Sequence, residues 1–302
     1  MSPRFPEGAT RPFRCLFPWP VERSSDRRSS TEGPLAGPSL GNWPAREHPR
    51  AEPAPCQGTR EAALSSGYLH TGECVYLAQR RWALRMLPAP RDDAIYRDLL
   101  DERHRRSGWV VYRPECRGCA ECLPIRVPVQ RFRPSRSQRR VQRRNRDLRI
   151  ELGPPEPTPE KLELHNRFVA ARFERGDAGF GSLEGYAEVF GPSPITTREM
   201  RFYLGERLVG LGVLDLLPDV VSSVYFFFDP ECSRRSLGTF SALCEIDLAL
   251  RTGRSYLYLG YYIRDCREMN YKARFRPCEV LGPDGRWEEL APVARRLPQA
   301  RP

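Results

Sequence analysis

The chain has 302 residues, of which 40% are apolar, and it carries a formal net charge of +11. This length allows two domains of ordinary size with folded cores, and the positive charge favours an anionic partner. No apolar run approaches the 18 residues that a membrane-spanning helix needs, so the sequence excludes such a helix.

Residues 1–62 are predicted to be a disordered extension. They contain eleven prolines among scattered arginine, serine and glutamate, with little apolar periodicity. The N-terminus also lacks the apolar core of a secretory signal. Because ten cysteines without such a signal indicate free or metal-bound thiols in a reducing compartment, we expect a cytoplasmic protein.

Residues 63–152 are predicted to form an N-terminal α/β domain that is rich in cysteine and arginine. Its expected elements are a helix over residues 92–106, a strand over 109–112, a strand over 125–129 and a polar helix over 138–148. The first helix should bury Ile95, Leu99 and Leu100. Pro128 is expected to mark a sheet edge, because proline cannot donate a ladder hydrogen bond.

A proline-rich linker over residues 153–159 precedes the second predicted domain, residues 160–295. Its expected elements are helices over 159–172 and 180–190, hairpin strands over 200–203 and 208–214, a buried strand over 220–228, a helix over 236–251 and a strand over 256–262. This order is typical of the acyl-transfer fold of the N-acetyltransferase (GNAT) superfamily. The sequence therefore predicts an α+β protein in which the cysteine-containing domain is followed by a GNAT-like mixed-sheet domain.

Three cysteines with two-residue spacing, Cys116, Cys119 and Cys122, follow the predicted strand of the first domain. Such spacing lets successive thiolates point at one centre, and Cys74 is a candidate fourth ligand. The four could hold zinc or an iron–sulfur cluster. The alternative is a loop of unrelated free thiols, and both interpretations stay open.

An arginine band follows the cysteines. Ten arginines and a single acid, Asp147, lie between Arg126 and Arg149. Guanidinium groups suit phosphate oxygens, so the band predicts a nucleic-acid surface, with a solvated basic helix as the alternative. The candidate phosphate-binding residues are Arg126, Arg133, Arg136, Arg139, Arg140 and Arg143.

A second candidate phosphate site lies between the buried strand and the helix of the second domain. Backbone amides at a helix N-terminus beside arginines bind phosphate, although Ser236 could equally be a plain N-cap. The residues are Arg234, Arg235, Ser236, Gly238 and Thr239. Phe240 occupies a position that is glycine or alanine in the acetyltransferase turn, which weakens the case for coenzyme A.

The last strand and the segment after it carry candidate site residues. Gly260 indicates a bend or a close backbone approach, and Tyr256, Tyr258 and Tyr262 are expected on one face. Of 49 basic residues only Lys161 and Lys272 are lysines, so a compact, tunable amine is expected to matter at Lys272. It would hold a phosphate or an acidic side chain, or form a surface ion pair.

These motifs together resemble the arginyl-tRNA–protein transferase family, and within it the bacterial aspartate/glutamate leucyltransferases. The resemblance runs from about Cys74 to Trp287. The matching segments are CVYL from Cys74, RSG from Arg106, YRPECRGCAECLPIRV from Tyr112, FRPSRSQRRV from Phe132, DLLP from Asp215, RSLG from Arg235, YLGY from Tyr258 and MNYK from Met269.

The resemblance implies that the chain moves leucine or arginine from an aminoacyl-tRNA to the N-terminal Asp or Glu of a protein, which feeds N-degron proteolysis. No cofactor is required for transfer, although eukaryotic relatives carry an iron–sulfur cluster on N-terminal cysteines. Lys272 or Arg274 would bind the acceptor carboxylate. Asp229, Glu245 or a water held by Tyr258 would remove the proton from the acceptor amine.

Three other functions compete with this hypothesis. The chain could be a small-molecule N-acetyltransferase that uses acetyl-CoA, a non-catalytic RNA-binding protein, or a zinc-bound structural domain. The sequence leaves the oligomeric state and the choice between leucine and arginine open.

Overall fold

The computed structural model describes residues 11–13, 67–172 and 179–291, and their strands form two sheets. The strands are β1 (Arg11–Phe13), β2 (Tyr68–Glu73), β3 (Arg81–Pro88), β4 (Arg105–Ser107), β5 (Val110–Pro114), β6 (Leu123–Pro128), β7 (Leu148–Gly153), β8 (Thr197–Leu204), β9 (Arg207–Leu216), β10 (Val220–Phe228), β11 (Tyr256–Tyr262), β12 (Glu279–Leu281) and β13 (Trp287–Glu289). Apart from β1, the predicted N-terminal extension lies outside the described residues.

The large sheet has nine strands in the order β1-β7-β8-β9-β10-β11-β6-β12-β13, and the small sheet has four in the order β2-β3-β5-β4. Every pair in the large sheet is antiparallel except β10 with β11. The mixed α+β class is therefore confirmed. The residues predicted to form the first domain are divided between the two sheets, because β6 and most of β7 belong to the large one.

The described helices are α1 (Asp93–Asp101), α2 (Arg136–Arg144), α3 (Pro159–Arg172), α4 (Leu183–Phe190), α5 (Leu237–Arg251) and α6 (Arg267–Asn270). None of them is long and apolar enough to cross a membrane. The core between α5 and one face of the large sheet includes Val221, Leu243 and Leu257. On the opposite face α3 and α4 pack in one cluster, and α1 packs with the small sheet in another.

Most predicted helices and strands occur, with three corrections. The predicted helix over residues 92–106 ends at Asp101, because Arg103 adopts a left-handed φ of +70° and Arg105–Ser107 pairs with β5. Ile95 is exposed, whereas Leu99 and Leu100 are buried. β6 is an inner strand that pairs with β11 on one side and with β12 on the other, but β12 covers only Ile125 and Arg126, so Pro128 has a strand neighbour on one side only.

Two further predictions need smaller corrections. The polar helix predicted over residues 138–148 spans Arg136–Arg144, because β7 begins at Leu148. The strand over residues 220–228 is buried at its start but only half-buried over Ser223–Phe226, where it loses one neighbour.

A buried ion pair joins the small sheet to the large one. Arg106 on β4 donates from Nε and Nη2 to the two carboxylate oxygens of Asp215 on β9, at 3.0 and 2.6 Å. The side chains are 1% and 0% exposed, and Arg106 also donates to the Gly108 carbonyl and the Thr197 hydroxyl. A bidentate pair with these extra donors satisfies both buried charges, so β4 is held at one position on the sheet.

We expect Arg106→Met to lower the free energy of unfolding by about 3–5 kcal/mol, because it leaves the Asp215 carboxylate buried without its partner. Chemical denaturation of the two proteins measures the change. Arg113→Met is the matched control, because Arg113 pairs with Glu115 at a partly exposed site and should lose no more than ~1 kcal/mol. Equal losses in the two variants would contradict the role of the Arg106–Asp215 pair.

Candidate active site between two diverging strands

β10 and β11 separate halfway along their length. They pair in parallel only at Val220–Tyr256, Val221–Leu257 and Ser222–Tyr258. Beyond these residues β10 continues to Phe228 and β11 continues to Tyr262, each paired only with its outer neighbour. Both strands have a bulge close to the point of separation. We call the space between residues 223–228 and 259–262 the strand fork; its facing main-chain groups have no strand partner.

Gly260 shapes one side of the strand fork. Its φ of +86° lies in the left-handed region, and the pairing register shifts between Tyr258 and Tyr261. The predicted bend at Gly260 is therefore confirmed. The shift also changes the alternation of side chains: Tyr258 packs in the cluster with α1, whereas Tyr262 packs in the cluster with α5. The prediction that Tyr262 shares a face with Tyr258 is therefore wrong.

Two cations enter the strand fork. Lys272 lies on the single-turn 3-10 helix Tyr271–Arg274 and donates from Nζ to the Tyr261 carbonyl at 2.7 Å. Arg105 on β4 donates from Nη2 to the Ser223 carbonyl at 2.5 Å. A Cβ on Gly260 would lie 3.6 Å from Lys272 Nζ and 3.8 Å from Arg105 Nε. The two side chains therefore flank Gly260 and satisfy carbonyls left open by the divergence.

These cations are buried without an acid. Lys272 is 8% exposed and Arg105 is 5% exposed. Burial, and after it the Arg105 guanidinium, lower the pKa of Lys272 to about 7, while the thiols of Cys266 and Cys122 act in the opposite direction. Within the described part of the chain, no carboxylate forms an ion pair with either cation. The arrangement suits an anionic ligand.

Glu245 is a buried acid on α5. It accepts a hydrogen bond from Ser241 Oγ at 2.9 Å, and its Oε1 would lie 3.7 Å from a Cβ on Gly212 of β9. Burial raises the pKa of its carboxyl above the usual range, against the opposing effect of the Ser241 and Ser223 hydroxyls. Its Oε2 has no hydrogen-bond partner among the described residues. A raised pKa makes the ionised form of this carboxyl a stronger base.

The other two candidates for proton transfer already have partners. Asp229 caps the 3-10 helix Pro230–Arg235 through the Glu231 amide, and its Oδ2 lies 3.2 Å from Arg207 and 3.4 Å from Arg167. These two contacts are ion pairs without hydrogen-bond geometry. Tyr258 is 1% exposed, and its hydroxyl donates to Asp101 at 2.6 Å. Both groups are therefore better suited to structural roles than to proton transfer, which leaves Glu245 as the stronger candidate for that step.

Arg126 is not available for phosphate. It is 9% exposed, donates to Glu279 at 2.8 Å, and lies 3.9 Å above the Tyr256 ring and 4.0 Å from the Trp287 ring. It also donates to the Tyr258 hydroxyl. The prediction that Arg126 binds tRNA is therefore wrong, because the position lies on β6 inside the large sheet.

Helix α2 carries the exposed part of the arginine band. Ser135 and Gln138 form a capping box that starts the helix. Its inward face is polar: Gln138 Nε2 donates to the Arg274 carbonyl at 3.2 Å, and Asn145 Nδ2 donates to the Arg235 carbonyl at 2.9 Å. Of the predicted phosphate ligands, the exposed ones in the band are Arg133, Arg136, Arg139, Arg140 and Arg143.

The hydrogen bonds of Gln138 and Asn145 link α2 to two other segments: the turn that carries Lys272 and the predicted phosphate site before α5. Asn145 reaches the 3-10 helix before α5, where Arg235 pairs with Asp147 at 2.8 Å. Gln138 reaches Arg274, whose side chain is exposed while Lys272 is buried. The arginine surface is therefore continuous with the turn before α5 and lies beside the segment that delivers Lys272 to the strand fork.

Ser236 differs from the expected plain N-cap. It adopts a left-handed φ of +56°, and its side chain makes no capping hydrogen bond to α5. Gly238 and Thr239 follow in the first turn of α5 and are partly exposed. Arg234 is exposed, and its carbonyl accepts a hydrogen bond from Arg144. The first amides of α5 thus lack a side-chain cap and lie next to exposed arginine.

The four N-terminal cysteines remain a predicted metal site. Among the described residues no group of three or more His, Cys, Asp and Glu side chains is arranged to hold a metal ion. Cys116 Sγ accepts a hydrogen bond from the Ala83 amide at 3.3 Å. Burial, and after it the thiols of Cys116, Cys74 and Cys119, raise the pKa of Cys122 to about 12. The thiols are therefore neighbours.

Arg105 is the site residue that the sequence analysis missed. The prediction placed it inside the helix over residues 92–106. The signal that could have found it is the Arg105-Arg106 pair followed by the Ser107-Gly108 turn, because alternate residues of a short strand face opposite ways.

We expect Lys272→Met to raise the free energy of unfolding at pH 7. In the folded state the amine protonates only near pH 7, whereas in the unfolded chain it protonates below its ordinary value of 10.5. The wild type therefore loses stability as pH falls from 10.5 to 7, by up to ~1.4 kcal/mol per pKa unit. The advantage of methionine should grow over the same range and level off below pH 7, as measured by denaturation at each pH.

Lys161→Met is the matched control for this experiment, since Lys161 is the other lysine of the chain. Its Nζ lies 2.5 Å from buried Glu199, so its removal should destabilise the protein by about 3–5 kcal/mol. A Lys272→Met variant that is no more stable than the wild type at pH 7 would contradict the lowered pKa.

Comparison with known proteins identifies the family. The model described as "Arginine-tRNA-protein transferase, C terminus" matches residues 160–282, and the one described as "Arginine-tRNA-protein transferase, N terminus" matches residues 72–140. The chain is 37% identical over 219 residues to the aspartate/glutamate leucyltransferase of Pseudomonas savastanoi pv. phaseolicola and 41% identical over 222 residues to that of Halorhodospira halophila. Both alignments cover 72% of this chain and 93% of the relative.

Among solved structures, the C-terminal domain of a putative lysylphosphatidylglycerol synthetase from Agrobacterium fabrum matches with a TM-score of 0.39 and 14% identity, over 55% of this chain and 61% of that one. A TM-score this low supports no statement about the fold. The family models and the curated relatives together show that the chain belongs to the arginine-tRNA-protein transferase family.

Proposed function

We propose that this protein transfers leucine from charged tRNA to the N-terminal Asp or Glu of a protein. Membership of the family and the name of its relatives support this function. The structural observation that carries it is the junction of the exposed arginine helix α2 with the turn that places Lys272 in the strand fork. An RNA surface and a buried cationic site for an acidic group are thus adjacent.

The proposed donor route follows the positive surface. Arg136, Arg139, Arg140 and Arg143 on α2 would bind tRNA phosphates, together with the first amides of α5. Among the described residues none of these four arginines pairs with a carboxylate. The acylated 3′ end would then enter the strand fork. A GNAT-like domain is part of this proposal, because two parallel strands that diverge over the N-terminus of a helix can receive an acyl group between them.

The proposed reaction depends more on orienting the acceptor amine than on activating the ester, because the aminoacyl ester is already reactive. The acceptor amine attacks the ester carbonyl, the new C–N bond forms, and the C–O bond to the tRNA ribose breaks. We propose Glu245 as the group that takes the proton from the amine and returns it to the leaving hydroxyl, since its Oε2 is unpartnered and burial raises its pKa. Lys272 would bind the acceptor carboxylate.

The consequence in the cell would be a new N-terminal residue that marks the acceptor for N-degron proteolysis. We propose the cytoplasm as the location, because charged tRNA and nascent acceptors are there. The free state of the eight described cysteines fits a reducing compartment.

Transfer of labelled amino acid from charged tRNA to a peptide that begins with Asp tests the function. We expect leucine to be transferred from leucyl-tRNA, and the same assay with arginyl-tRNA decides between the two donors. Glu245→Gln should lose transfer, whereas Asp229→Asn, which changes a helix cap, should retain it. A wild-type protein that binds tRNA but transfers neither amino acid would leave a non-catalytic RNA-binding protein as the function.

The arginine surface has a separate test through salt. We expect Arg140→Gln with Arg143→Gln to weaken tRNA binding and to make the slope of log affinity against log salt less negative. The change should be about 0.7–0.9 for each phosphate that the protein no longer neutralises. Binding of leucyl-tRNA is measured between low and physiological salt. The KM for the peptide should stay unchanged.

Arg149→Gln is the control, because Arg149 already pairs with Glu151 and lies within ion-pair distance of Glu206. It should leave the salt slope close to that of the wild type. An identical slope in the double variant and the wild type would show that the tRNA binds elsewhere.

A further inference from the structure

Arg105 has a donor with no partner. Its Nη2 is bonded to the Ser223 carbonyl, but Nη1 is buried and has no hydrogen-bond partner among the described residues. An unsatisfied buried donor on a charged group is unfavourable in a folded protein unless a ligand completes it. Lys272 Nζ has a similar surplus, because its described contacts are the Tyr261 carbonyl and the Met269 sulfur, at 2.7 and 3.6 Å.

The two side chains converge on Gly260 through Arg105 Nε and Nη2 and Lys272 Nζ. Arg105 arrives from the small sheet, and Lys272 arrives from the turn after α6, so they approach from different elements. Both lie within 4 Å of the point where Gly260 would carry a Cβ. Glycine leaves that point open, and its left-handed φ disfavours any larger residue there. Two buried cations therefore flank the same point of the strand fork.

We propose that Arg105 is a specificity residue that, together with Lys272, binds the side-chain carboxylate of the acceptor's N-terminal Asp or Glu. This inference rests on the proposed transfer reaction and adds a second cation to it. Arg105 Nη1 donates to one carboxylate oxygen and Lys272 Nζ to the other. The bound carboxylate supplies the negative charge that the two cations lack.

A carboxylate fits this position better than a tRNA phosphate. Arg105 and Lys272 are buried, whereas the arginines suited to phosphate are exposed on α2. Two donors on two side chains match a planar group with two oxygens, as a carboxylate is. A site that satisfies buried donors with a charged group also rejects the neutral analogue, because asparagine would leave the donors poorly paired. Selection of Asp over Asn then follows from the pair of cations.

The position of Arg105 depends on its neighbour in sequence. Arg106 is locked by Asp215, and adjacent residues of a strand face opposite ways, so Arg105 is directed away from that pair and into the strand fork. Arg105 thus binds the substrate, while Arg106 stabilises the position of β4.

The test compares peptides that begin with Asp and with Asn, using leucyl-tRNA as donor and the full-length protein. We expect Arg105→Gln to lower kcat/KM for the Asp peptide by about 10- to 100-fold, mainly through KM, while kcat/KM for the Asn peptide changes little. Arg105→Lys should recover part of the preference for Asp, because it restores a charge. Arg113→Gln, on the adjacent strand β5, is the control and should behave as the wild type.

Three results would overturn the proposal. An unchanged preference for Asp over Asn in Arg105→Gln would assign selection to Lys272 alone. An equal loss with both peptides would indicate a purely structural role. A raised KM for leucyl-tRNA with an unchanged KM for the Asp peptide would assign the site to the RNA.

Peptide binding separates this inference from the transfer reaction. Thermal shift of the protein with the Asp peptide and with the Asn peptide needs no tRNA. If the wild type transfers nothing but is stabilised by the Asp peptide in an Arg105-dependent manner, the proposed reaction fails and the carboxylate site stands. If transfer occurs and the Asp peptide stabilises Arg105→Gln as much as the wild type, the carboxylate site fails.

Discussion

The ion pair between Arg106 and Asp215 holds the candidate site together. It is the bidentate contact between the small sheet and the middle of the large one, and both side chains are removed from water. Such a pair is weak evidence for overall stability, because desolvation offsets most of the attraction. The pair matters because it fixes position: a guanidinium group that donates two hydrogen bonds holds a carboxylate in one geometry. Once β4 is fixed in this way, Arg105 is delivered to the strand fork.

The divergence of β10 and β11 explains why charge is found inside the sheet. A carbonyl that loses its strand partner must find another donor or remain unsatisfied. Ser223 finds Arg105 and Tyr261 finds Lys272, so the same two side chains repair the sheet and present spare donors to a ligand. The lowered pKa of Lys272 is the electrostatic consequence of placing the two cations together without an acid. Burying these two cations together lowers the stability of the fold at the place where a ligand is proposed to bind.

The arginine helix α2 connects RNA binding to this site through amides. Gln138 and Asn145 lie two turns apart on its inward face and bond to the carbonyls of Arg274 and Arg235. These neutral contacts orient the helix without using its guanidinium groups, which stay exposed for an anionic partner. The helix therefore lies against both the segment that carries Lys272 and the turn that opens α5.

The α+β class, the helices and strands from α3 to β11, and the family could all be predicted from the order of the residues. Periodicity over α3 and α5 and the motifs from Cys74 to Met269 are local signals, so they are readable without a fold. The composition of the band also marked Arg136 to Arg143 as a surface. It could not separate them from Arg126, which has the same chemistry but lies under two aromatic rings.

Which residues meet became visible only in the folded chain. Arg105 and Lys272 are far apart in the chain, and nothing local to either predicts the other. The cysteines show the same limit, because their spacing predicts a metal site but does not fix how the four side chains are arranged in the fold. Local pattern records what a residue can do, whereas burial and pairing between distant strands determine what it contacts, and these depend on the whole sheet.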